Sequence, residues 1–161
     1  TKHSLTNYLD HYEISSDPLV EIIAYCLMPT HIHLVLKQLK DNGISHFMRN
    51  IQNSYTHYFN ERYKRKGPLW IGRFKNVLVE SDSQLLHLTR YVHLNPSTAG
   101  LTRNPLDWHS SYGEYLNPKT NDRLCHWEEL IDLSTSQYRA FVEERIDYQR
   151  ELAFLKHLSD E

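Results

Sequence analysis

The 161-residue sequence predicts an α+β fold: an antiparallel sheet with helices on one face. Two runs rich in β-branched and apolar residues flank Pro29–Thr30 and read as a hairpin. Helical periodicity then appears twice, after Gly43 and after Ser81. Strands and helices mix without strict alternation, which argues against a parallel βαβ arrangement.

Taken in order, "SLTNYLDHYEI" reads as a short helix, broken at Asp17–Pro18. "LVEIIAYCLM" reads as a strand, Pro29–Thr30 as a tight turn, and "HIHLVLKQL" as the returning strand. From Gly43, the residues Ile44, Phe47, Met48, Ile51, Tyr55, Tyr58 and Phe59 recur at three- and four-residue steps, so one helical face is apolar. Gly67–Pro68 ends that helix. "GRFKNVLVES" is expected as a third strand. Ser81 or Asp82 caps a helix through "SQLLHLTRYVHLN", expected to stop at Asn95–Pro96. "DWHSSYGEYL" is expected as a short helix capped by Asp107, and residues 136–157 as an amphipathic helix.

The chain suits one domain with a core of its own, expected over 1–161. Cys26 and Cys125 lack metal-type spacing, and Cys26 lies in an apolar run, so buried reduced thiols are expected. No apolar stretch is long enough to cross a bilayer and Thr1 opens no signal-peptide pattern, so the expected location is cytoplasmic. Net charge is −2, yet "RYKRKGPLWIGRFK" (Arg62–Lys75) carries six basic residues and no acidic one. A local basic strip governs polyanion binding more than the total charge does. A solvated loop is the ordinary explanation of such a run; the interleaved Tyr63, Trp70 and Phe74 favour a surface on which bases stack.

Two short patterns carry chemistry. His31 and His33 in "MPTHIHLVL" are one residue apart on a strand, so both point to one face and can converge on a divalent cation. With 11 histidines in the chain, such a pair alone is weak evidence, and two ligands are too few. In "LTRYVHLNP", Tyr91 and Asn95 stand at i and i+4 on one helical face, with His87 one turn earlier. Asn95 offers an amide oxygen suited to Mg²⁺ or Mn²⁺. Tyr91 offers a phenol able to attack phosphorus once a metal polarises the phosphate.

Together, "MPTHIHLVL", "GPLWIGRFK", "RYVHLNPSTAGL" and "DWHSSYGEY", in this order, closely resemble the motifs of the single-tyrosine HUH transposases, in particular the REP-associated tyrosine transposases of bacteria. The resemblance covers about residues 22–115, with 116–161 as a helical C-terminal extension. It implies a ferredoxin-like, RRM-like sheet with the nucleophile on a helix near the HUH strand. It further implies a metal-dependent nuclease and strand transferase that cuts single-stranded or hairpin DNA through a 5′-phosphotyrosine. His31 and His33 then match the metal pair, Tyr91 the nucleophile and Asn95 a third ligand to Mg²⁺ or Mn²⁺. Arg62, Lys64, Arg65, Lys66, Trp70, Arg73 and Lys75 fall in or beside the segment resembling the DNA-facing region. Thr30 replaces the usual Asn, with an effect expected on turn geometry alone. Relatives begin with a strand where this chain opens on an expected helix, which would leave a sheet edge exposed. The resemblance implies a bacterial, nucleoid-associated location and leaves monomer and homodimer both open. The competing expectation is a non-catalytic, domesticated module that binds repeat hairpins; a metallohydrolase of small phosphoesters is disfavoured by the basic, aromatic strip.

Overall fold

The computed structural model describes residues 17–120 and 123–146. The helix expected before Asp17 lies outside them. The chain has an α+β fold, in which strands β1 (Val20–Leu27) and β2 (Ile32–Gln38) pair antiparallel, with Leu27 opposite Ile32 and Cys26 opposite His33. The connection runs Met28-Pro29-Thr30-His31 and is closed by the Met28 N–H donating to the His31 carbonyl at 2.9 Å. The register slips around Ile23, a bulge that turns Ile23 and Ala24 both inward.

Four α-helices follow: α1 (Gly43–Arg62), α2 (Asp82–Thr98), α3 (Tyr112–Leu116) and α4 (Thr135–Glu143). Helix α1 starts at Gly43 because the chain passes close there. A Cβ at that position would sit 2.4 Å from the Leu19 carbonyl oxygen. Only Gly43 and Met48 of α1 are buried, so its outer half stands clear of the core. Ser81 caps α2, its hydroxyl accepting the Gln84 N–H at 3.2 Å. Helix α2 packs on both strands and α4 packs on α2 and α3. The core between them gathers Ile23, Ala24, Val35, Leu85, Val92, Leu94, Tyr115, Trp127, Tyr138 and Val142.

Several expectations from the sequence are corrected. "GRFKNVLVES" forms no strand: residues 72–81 carry no regular secondary structure, and among the described residues no strand pairs with them. Helix α2 does not stop at Asn95 but runs through Pro96 to Thr98. Proline there removes one backbone donor, and the burial of Leu94, Pro96 and Ser97 holds the last turn in place. The "DWHSSYGEYL" helix is shorter than expected. Pro105–Asp107 is a 3-10 turn, Trp108–Ser110 bends so that Ser110 bridges Cys26 of β1, and α3 begins after Ser111 rather than Asp107. Of the long tail helix, the described residues contain α4 alone, fixed by a capping box between Ser134 and Gln137.

The second edge of β1 is thereby occupied. The Leu27 N–H donates to the His109 carbonyl, Ser111 N–H to Tyr25 and His126 N–H to Ile22, each at 2.9 Å. Among the polar side chains fully inside this assembly is His93 of α2, whose pKa burial pushes down to about 3. An unfolded imidazole titrates near 6.5. Above that pH neither state binds the proton and stability is at its full value. Between about 6.5 and 3 only the unfolded chain binds it, so stability falls as the pH falls, by roughly tenfold in the folding equilibrium per unit. Urea unfolding of wild type between pH 7 and 5 is expected to show this loss, with a shallower slope in His93→Gln. An equal slope in the variant would assign the loss to other groups.

Candidate active site

His33 is the second residue of β2, on the face it shares with the buried Val35. His31 is the last residue of the turn, one position before the strand starts. The two side chains converge, with Nε2 of His31 3.1 Å from Nε2 of His33 and the rings edge to face. Burial first, and the neighbouring His31 second, lower the pKa of His33 below its ordinary value, which keeps the ring neutral and its lone pair available at neutral pH.

Tyr91 stands over this pair from α2. Its ring centroid is 5.7 Å from that of His33, and the residue is 52% exposed. Asn95 follows one turn later on α2 and is partly buried. The elements thus bring His31, His33 and Tyr91 together from a turn, a strand and a helix. His87 is not among them: its Nδ1 lies 2.8 Å from Arg90 and its ring packs on Phe141, on the side of α2 that meets α4.

One participant was missed in the sequence. The Thr30 hydroxyl lies 3.1 Å from Nδ1 of His31. It therefore does more than shape the turn, because a partner on Nδ1 fixes the ring and leaves Nε2 to face His33. A hydroxyl directly before the first histidine was the available signal.

The donor set fits a divalent cation. Two nitrogens 3.1 Å apart match the spacing of two ligands at about 2.1 Å from one ion, roughly at right angles. Among the described residues no cluster of three His, Cys, Asp or Glu exists.

The basic strip forms a unit with the outer half of α1. The Trp70 indole N–H donates to the Gln52 carbonyl at 3.0 Å, and its ring lies 5.8 Å from that of Tyr55. Phe59 packs on Tyr63 at 4.5 Å, leaving Tyr55 and Tyr63 exposed. Arg65 is engaged internally, donating to Asn60 Oδ1 at 3.0 Å and to the Pro68 carbonyl at 2.9 Å. Arg62, Lys64, Lys66, Arg73 and Lys75 are exposed, as is Arg65 despite those bonds.

Two converging imidazoles under a tyrosine, with an exposed basic and aromatic surface on the same α+β domain, define a candidate phosphoryl-transfer enzyme. The family is given by residues 3–95, more than half the chain, which match the family model described as "Transposase IS200 like"; the chain belongs to the IS200-like transposases. Searches of curated proteins and of solved structures return no match. Membership makes the protein an enzyme acting on DNA in transposition and recombination, within a family that depends on divalent metal in general. No helix among the described residues is long and apolar enough to cross a membrane.

The internal bonds of Arg65 separate it from its neighbours. In DNA-binding titrations against salt, Lys66→Ala is expected to reduce the slope of log K on log salt by about one. Arg65→Ala is expected to leave the slope near that of wild type. Equal reductions would show that Arg65 also neutralises a phosphate.

Proposed function

We propose that the protein cleaves and rejoins single-stranded or hairpin DNA, with Tyr91 as nucleophile and His31, His33 and Asn95 as the ligands of one divalent cation. The observation that carries this reading is the meeting of three side chains from separate elements: the 3.1 Å imidazole pair and the Tyr91 ring 5.7 Å from His33. At 3.1 Å the two nitrogens can share one proton, and the same approach would let one cation take that proton's place. The sequence resemblance to REP-associated members favours a repeat hairpin as the substrate.

The chemistry follows from the donors. Neutral imidazole and amide ligands leave the full charge of a bound Mg²⁺ or Mn²⁺ to polarise the scissile phosphate. The Tyr91 oxygen attacks phosphorus and its proton passes to solvent. The bond to the 3′ oxygen breaks, and that oxygen takes up a proton. The products are a 5′-phosphotyrosine and a free 3′-hydroxyl. Because the new phosphodiester conserves the bond energy, a 3′-hydroxyl can attack it in turn and no nucleotide cofactor is consumed. Exposure of Tyr91 suits a strand that must reach the ring from solvent. Arg62, Lys64, Lys66, Arg73 and Lys75 supply charge along the strand, and Tyr55, Tyr63 and Trp70 offer faces for unpaired bases.

The experiment is a denaturing gel for covalent protein–DNA adduct, with hairpin oligonucleotides and Mg²⁺ or Mn²⁺. Wild type is expected to form adduct. Tyr91→Phe is expected to form none while binding DNA within about twofold of wild type, since a single hydroxyl outside the binding surface is lost. His33→Ala is expected to lose both Mn²⁺ binding, followed by calorimetry, and metal-dependent cleavage. Full activity in His33→Ala would overturn the metal assignment. Specific binding with no adduct under any metal would move the protein to the non-catalytic binding module.

A further inference from the structure

Tyr91 and His33 sit on different elements, so their separation depends on the rotation and height of α2 over the sheet. One residue of slippage along a helix turns a side chain by about 100° and moves it by about 1.5 Å. Apolar contacts such as those of Val92 and Leu94 are not directional and resist such slippage poorly. A directional tie is needed, and α2 carries one on the side away from the phenol.

His93 follows Tyr91 by two residues, about 200° around the helix. It is fully buried, with Nε2 2.7 Å from Ser111 Oγ and Nδ1 2.8 Å from the Tyr138 hydroxyl. Ser111 Oγ accepts the Tyr25 N–H at 2.9 Å and lies 3.2 Å from the Tyr25 carbonyl, which also accepts the Ser111 N–H. Tyr25 precedes Cys26, the cross-strand partner of His33. The same segment grips the end of β1, where the Trp108 indole N–H donates to the Leu27 carbonyl at 2.7 Å, just ahead of the turn that presents His31.

Donor accounting satisfies this network with either neutral tautomer of His93. A serine hydroxyl has one proton and two acceptor sites. In one arrangement its proton goes to the Tyr25 carbonyl, Nε2–H of His93 donates to its oxygen and the Tyr138 hydroxyl donates to Nδ1; in the other the serine proton goes to Nε2 and Nδ1–H donates to the Tyr138 oxygen. Both leave each ring nitrogen of His93 with a directional partner, one on the segment that bonds β1 and one on α4, which holds the ring in place.

We propose that His93 and Ser111 are positioning residues for the transferase site. They clamp the helix of the nucleophile to the strand of the metal pair while touching neither DNA nor metal. The "WHSSY" segment is the body of that clamp. The reaction itself rests on the function proposed above; the geometric claim does not.

The test compares Ser111→Ala, His93→Leu, His93→Gln and the milder Tyr138→Phe. Two readouts are used: NMR contacts between the rings of Tyr91 and His33, and single-turnover adduct formation at saturating hairpin DNA. Ser111→Ala and His93→Leu are expected to weaken the Tyr91–His33 contact while the Ala24–Val35 cross-strand contact and the Tyr115–Trp127 stack persist. Adduct formation is expected to fall by about tenfold to a hundredfold, the usual effect of misplacing a reacting group by an ångström, with DNA affinity retained. His93→Gln, whose amide both donates and accepts, is expected to restore most of the contact and the rate, and Tyr138→Phe to lose only part of them. An intact Tyr91–His33 contact in folded Ser111→Ala or His93→Leu, or in Tyr138→Phe should those two not fold, overturns the proposal. So does a loss that merely follows the cross-strand contact. Should wild type form no adduct, the proposed reaction fails, and the NMR comparison alone still decides this inference.

Discussion

The arrangement around the two histidines depends on β1 being hydrogen-bonded along both edges. A two-stranded hairpin alone is marginal in water, and among the described residues β1 pairs with only one regular strand. Its other edge is met by irregular chain: His109, Ser111 and His126 bond its backbone, and the Tyr115 hydroxyl donates to the Ile23 carbonyl at 2.9 Å. Glu114 secures that patchwork, its carboxylate accepting the N–H groups of Leu124 and Cys125 and the Tyr25 hydroxyl. With the backbone of β1 satisfied in this way, the turn that presents His31 has a fixed base.

Burial then sorts the histidines into different trades. His93 is sealed in the core, where charge is excluded and its two nitrogens serve as one donor and one acceptor. His33 is half-buried, neutral and still reachable. His31 sits at the surface, with Thr30 on one nitrogen and His33 at the other. The same side chain acts as a structural strut in one place and as a pair of candidate ligands in another, according to how much water each nitrogen keeps.

Much of this was legible in the residues. The hairpin, α1 and the Ser81 cap follow from periodicity and from Pro, Gly and Ser punctuation, which are local signals. The strand expected at 72–81 was not borne out because β-forming residues such as Phe74, Val77 and Val79 supply a strand's side chains but cannot supply an edge to pair with. The stop at Asn95 gave way because the burial of Pro96 outweighs one missing donor. His93 was hidden among 11 histidines, although its place four residues after Thr89 and eight after Leu85, both buried, marks it as a core position. That Tyr91 meets His33 is not contained in any spacing. The motif resemblance suggested it, since only tertiary packing brings a helix over a turn some sixty residues earlier.

Residues 76–79 join the basic strip to α2 without a backbone-to-backbone hydrogen bond among the described residues, and they leave Val77 and Leu78 exposed. Natural selection can therefore lengthen, shorten or rewrite this tether at little cost to the core. The basic, aromatic surface beside α1 and the two histidines under Tyr91 are thereby free to evolve at different rates.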